Sequence, residues 1–189
     1  MRFHPLALGA AALACIAAVA PVWAAGVIGA RGGVSVAKAS VDVTTVFDEG
    51  NRTGFAGTGF LSLGLGGLAL QPEVSFIQKG VGDVALDYVE AAALLKAGLP
   101  IIPVVKPHAF AGIGADYEVD KKSQFPVDTK ELDWNLIVGA DVFFVLGQVS
   151  LVADARYAHG LQDVHDTGTV VTGIKNRAWL LSAGLGFNF

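Results

Sequence analysis

From Val27 onward, apolar residues recur at every second position within segments of about ten residues, separated by turn-like connections. Eight such segments can be traced: Val27–Ala37, Phe55–Leu63, Leu68–Lys79, Leu86–Ala97, Lys106–Tyr117, Glu131–Val145, Gln148–Ala158 and Ala178–Phe189. No helical period competes over a long window. A period of two means two unlike faces on each strand. The connections differ in length. Residues 38–54, 118–130 and 159–177 are long and polar, whereas residues 64–67 and Leu146-Gly147 are close to the minimum for a hairpin.

One face of each segment carries no charge. It reads Ile28, Ala30, Gly32, Val34 and Val36 in the first segment and Phe55, Gly57, Gly59, Leu61 and Leu63 in the second. It continues through alternate residues from Leu70 to Gln78, Val89 to Leu95, Pro107 to Tyr117, Trp134 to Phe144, Val149 to Tyr157 and Trp179 to Phe189. The opposite face holds Arg31, Glu73, Lys79, Glu90, Lys96, His108, Asp116, Asp133, Asp141, Asp154 and Arg156. A soluble sandwich would turn the apolar face inward and the charges to water. A barrel in lipid inverts this, with the apolar face outside and the polar one within.

Aromatic positions favour the inverted arrangement. If the first strand runs upward from the short-turn end, uncharged-face Phe55, Phe76, Tyr117, Trp134, Tyr157 and Trp179 fall at the long-loop end. Phe144, Phe187 and Phe189 fall at the other. Two aromatic girdles flanking a band of Ala, Val, Leu and Gly are the expected dressing of a membrane-spanning barrel. The pattern therefore predicts an all-β fold, an eight-stranded antiparallel up-and-down transmembrane β-barrel. Thr53–Pro72 is uncharged and long enough for a transmembrane helix, but its six glycines argue for a hairpin instead.

Composition adds a destination. The chain is 53% hydrophobic and 16% charged, with a net charge of -4, which excludes a disordered chain and a basic nucleic-acid binder. Arg2, the apolar run Leu6–Val19, Pro21 and the small residues of Val22-Trp23-Ala24 predict a signal peptide over residues 1–24. Residues 25–189 then form one exported domain. The single Cys15 leaves with the signal, so no disulfide is available.

Several stretches resemble the PorT-like outer-membrane β-barrel family. They are Gly29-Ala30-Arg31-Gly32-Gly33-Val34, Leu70-Gln71-Pro72-Glu73-Val74-Ser75-Phe76-Ile77-Gln78-Lys79-Gly80 and Tyr88-Val89-Glu90-Ala91-Ala92-Ala93-Leu94-Leu95-Lys96. Lys106-Pro107-His108-Ala109-Phe110-Ala111-Gly112 and the closing Leu185-Gly186-Phe187-Asn188-Phe189 also fit. Ala92 stands where that family usually has Pro. The resemblance implies a small eight-stranded barrel in a Gram-negative outer membrane, with no assigned biochemical activity. The strand ending at Phe189 also resembles the signal read by the outer-membrane assembly machinery.

The inward charges are the main chemical constellation. Arg31, Glu73, Glu90, Lys96, Asp141, Asp154 and Arg156 lie on strands whose barrel is just wide enough to be filled by side chains. Buried charges persist when paired. The reading is an internal salt-bridge network that fills the barrel, with a narrow ion or small-solute channel as the alternative. A lipid-modifying enzyme would need a nucleophile and base on the lipid side of the outer rim. The uncharged face contains no Ser and no acid, and His159 is its one histidine, so no nucleophile–base–orienter set can be assembled and no catalytic residue is nominated. Asp163, His165 and Asp166 lie together on one loop and could ligate a metal, but no fourth ligand is identified, and Asp48-Glu49-Gly50-Asn51 lacks the EF-hand spacing, so no metal or cofactor is nominated. The loops are mixed in charge, and no strong basic patch for lipopolysaccharide phosphates stands out. The expected partners are outer-membrane lipids and the assembly machinery, with the loop partner unassigned, no nucleic acid, and a monomeric state.

Overall fold

A computed structural model describes residues 25–40, 52–81, 84–99, 103–122, 132–161 and 175–189. Residues 1–24, for which the sequence predicts a signal peptide, and the acidic stretches at 48–51 and 163–166 lie outside the described residues. The described chain forms β1 (Ala25–Ser40), β2 (Arg52–Leu65), β3 (Leu68–Val81), β4 (Val84–Gly98), β5 (Val105–Lys122), β6 (Leu132–Leu146), β7 (Val149–Gly160) and β8 (Lys175–Asn188). Each strand pairs antiparallel with its sequence neighbours, and β1 also pairs with β8, closing the barrel. The seam runs from Val27↔Asn188 to Ser40↔Lys175. At its lower end Gly26 and Phe189 exchange two backbone hydrogen bonds of 2.9 Å.

Most strands extend beyond the segments read from sequence. β5, for example, continues to Lys122, beyond the Tyr117 at which the segment read from sequence ends. Backbone pairing needs no apolar side chain, so polar residues at the loop end remain in the ladder. The β2–β3 and β6–β7 hairpins turn on glycine. Gly66 has φ 66° and Gly147 φ 67°, each at the first central residue, where both primed hairpin turns require a positive φ.

The two faces separate as the alternation predicts, with two corrections. Leu63, on the uncharged face, is only 3% exposed. Its register partner is Gly26, and the Phe189 ring lies where a Gly26 side chain would be. Burial there comes from a ring on the outer face, not from a turn toward the interior. At Asp87/Tyr88 the β4–β5 register shifts by one residue, and Asp87 and Tyr88 are both buried. A bulge of this kind breaks the alternation at the loop end of β4.

Candidate functional site: a charged belt across the barrel

The interior is layered. Toward the turn end Phe60, Phe143 and Val152 form an apolar floor with Val27 against it. Higher up lie two apolar clusters, one of Ala92, Leu94, Phe110, Ile137 and Ala158, the other of Ala56, Ile77, Ala178 and Leu180. Among these apolar layers runs a belt of charged side chains.

Glu73 of β3 is the hub. Arg31 of β1 donates through one guanidinium nitrogen to its Oε2 at 2.6 Å, and Arg156 of β7 donates to its Oε1. Arg156 also grips Asp154, two residues away on the same face, through Nε and Nη2 at 2.9 Å each. Arg31 lies 3.9 Å from the same Asp154 carboxylate. Gln71 joins this group to a second one. Its amide nitrogen donates to Glu73 at 3.0 Å, and its oxygen accepts from Lys96 Nζ at 2.9 Å. Lys96 reaches across the barrel to Asp141 of β6 at 2.6 Å, and Asp141 also meets His108 Nδ1 at 2.8 Å. Apart from His108, the three cations Arg31, Lys96 and Arg156 match the three carboxylates Glu73, Asp141 and Asp154 in number.

Aromatic rings face the cations. Lys96 Nζ stands 4.3 Å from the centre of Phe143, Arg31 5.3 Å from Phe60, and Arg156 5.3 Å from Phe110. Such contacts contribute most where the cation has lost its water, at about 2 kcal/mol or more. Room for Arg31 comes from Gly184, its register partner on β8, because a side chain at Gly184 would run into the Arg31 backbone and Cβ.

The sequence grouped seven residues, and six of them share this belt. Glu90, the seventh, is 1% exposed and accepts a 2.9 Å hydrogen bond from Asn135. Its register partners, Ser75 and Asp116, place it above the belt, toward the loops. Lys96 deviates the other way, sitting two residues from the turn end of β4. The stagger of a closed barrel brings different strand positions to one height, and single-segment counting does not capture that. Gln71 and His108 complete the belt, and only their inward parity signalled them.

The interior is also not uniformly filled. A cavity of about 710 Å³ occupies the turn end, with His108, Phe143, Val27, Ser62 and Ser150 among its walls. The outer-face aromatics stand where their strand positions put them. Phe55, Tyr117, Trp134 and Trp179 are exposed near the loop end, with Phe76 and Tyr157 half-buried there. Phe144, Phe187 and Phe189 are exposed at the turn end. Among the described residues no group of His, Cys, Asp and Glu could hold a metal ion. No helix of the described residues is long and apolar enough to cross a membrane.

A family model described as the outer membrane protein beta-barrel domain matches residues 6–187. No curated protein sequence matches the chain. Among solved structures, Neisserial surface protein A aligns with TM-score 0.62 at 19% identity, covering 86% of this chain and 97% of that one. The outer membrane protein AlkL, solved in lipid bilayers, aligns with TM-score 0.54 at 18% identity, covering 87% and 90%. A major outer membrane protein of Thermus thermophilus aligns with TM-score 0.51 at 14% identity, covering 88% and 100%. At these identities the structural likeness concerns the fold alone.

Proposed function

Because the chain belongs to the outer membrane protein beta-barrel domain family, we propose that it is a closed barrel with a structural or interaction task, performed at its lipid face and loops and not through its lumen. The observation that carries this reading is the belt of paired charges. Its cations and carboxylates come from β1, β3, β4, β6 and β7, so the bridges cross the bore. An ion passing along the axis would have to separate buried pairs, each costly to break. Within the family, the motifs around Gln71-Pro72-Glu73 and the closing strand make a PorT-like member our finer reading. It includes export by the signal over residues 1–24, recognition of the strand ending at Phe189 by the assembly machinery, and a monomer in the outer membrane. It is also a non-catalytic reading, since the outer face of the described strands offers no nucleophile with a base beside it.

Planar-bilayer recording of the purified, folded chain tests the closed reading. The expected result is no reproducible single-channel step. Steps of uniform size that vanish in Arg156→Ala would overturn it and favour the narrow channel. The turn-end cavity is the observation on the channel's side, because it would already supply the lower part of a path as far as His108.

A further inference from the structure

Register brings together cations that lie far apart in sequence. On the outer face at the loop end, His159 of β7 is the cross-strand partner of Arg177 of β8. Arg177 is in turn the partner of Lys38 of β1. With neighbouring strands about 4.8 Å apart, these three positions form one row about 10 Å wide. His159 and Arg177 have the parity of the lipid-facing set. Arg177 is exposed, and His159 is half-buried with its ring stacked 6.3 Å from Tyr157.

The neighbouring rows give this one its meaning. Two residues nearer the middle of the barrel, Tyr157 pairs with Trp179, their rings 5.1 Å apart. Two further residues down, the partners are Ala155 and Leu181, both on the outer face. The outer surface therefore passes from aliphatic to aromatic to cationic toward the loops. That is the order of a lipid leaflet, acyl chain first, then the interface, then the headgroup. Asp154 is the one acidic residue of β1, β7 and β8, and it is buried inside the barrel, so no carboxylate of these strands competes for the row. Arg binds phosphate through two parallel hydrogen bonds, and a His ring N–H adds a third donor.

We propose that the His159–Arg177 pair, at the loop end of β7 and β8, is a binding site for a phosphate of lipid A in the outer leaflet, with Tyr157 and Trp179 packed against the adjoining sugar and acyl-chain roots. The proposal rests on the outer-membrane reading above, with the long loops facing outward.

The test uses the full chain folded into phosphatidylcholine nanodiscs, with folding verified by heat-modifiable gel mobility. That check fails independently if the barrel reading is wrong. The discs carry bisphosphorylated lipid A, the same lipid A stripped of phosphate, or phosphatidylglycerol at equal charge. Native mass spectrometry then measures which lipid stays on the protein. The expected result is that bisphosphorylated lipid A is retained at least about tenfold better than either other lipid. That preference should disappear in His159→Gln/Arg177→Gln, persist in Lys106→Gln at the opposite end, and be partly kept in Arg177→Lys. Equal retention of the stripped lipid, equal retention of phosphatidylglycerol, or an unchanged preference in the folded double variant would overturn the proposal.

Discussion

The inner and outer faces of this barrel are made by the same eight strands and obey opposite rules. Inside, the six charges of the belt survive because each has a partner within reach, and the smallest disturbance is to remove one. Outside, the mid-strand surface is Ala, Val, Leu and Gly, and the disturbance is to add one. Neighbouring residues on one strand can therefore be expected to respond to the same kind of substitution with opposite sensitivities. Asp141 and Ala140 are such a pair, the first buried against Lys96 and His108, the second exposed between Ala109 and Ala155.

The largest effect is expected at the hub. Glu73→Ala deprives Arg31 of its closest carboxylate and leaves Arg156 with Asp154 alone. Removing one member of a buried charge set costs about 3–5 kcal/mol. Folding equilibria in urea, followed by gel mobility, should report a loss of that size. A midpoint equal to that of the parent chain would mean the belt does not hold the barrel together.

Next comes the outer face. Ala140→Arg adds a charge at mid-strand, and its expected cost is about 2–4 kcal/mol at the bilayer midplane. The same substitution near either rim should cost much less. Folding into bilayers at a series of outer-face positions measures this depth profile directly. A flat profile would mean the outer face does not meet hydrocarbon.

The smallest effect concerns the girdle. Phe55 and Phe76 stand on neighbouring strands with ring centroids 6.0 Å apart and planes tilted by 39°. A double-mutant cycle with Leu at both positions should give a coupling of about 0.5–1.5 kcal/mol. No coupling would assign both rings to independent contacts with the interface.

Alternation along single segments was enough to read the strands and the face of almost every residue, because side-chain direction in a strand depends only on parity. Cross-barrel partnership depends on something else. Arg156 meets Glu73 across a separation of 83 residues, and Lys96 meets Asp141 from near the end of its strand. These meetings follow from strand tilt and stagger, which no single segment encodes. Glu90 shows the consequence, since it shares the belt's parity but not its height. His159, Arg177 and Lys38 show the converse, because connections of ordinary mixed charge hide a row that only inter-strand register assembles. Leu63 and Asp87 departed from the alternation for local reasons, a ring lying over a glycine and a bulge.

The β1–β8 seam bears on how such a molecule comes into being. The ladder from Val27↔Asn188 to Ser40↔Lys175 joins the two ends of the described chain, so its hydrogen bonds form only when the last strand is present. Contacts this distant in sequence close late and slowly. Until then β1 and β8 are both open edges, and unpaired edges invite pairing with other chains. The time between the arrival of β1 and that of β8 is therefore the period in which the chain most needs an escort.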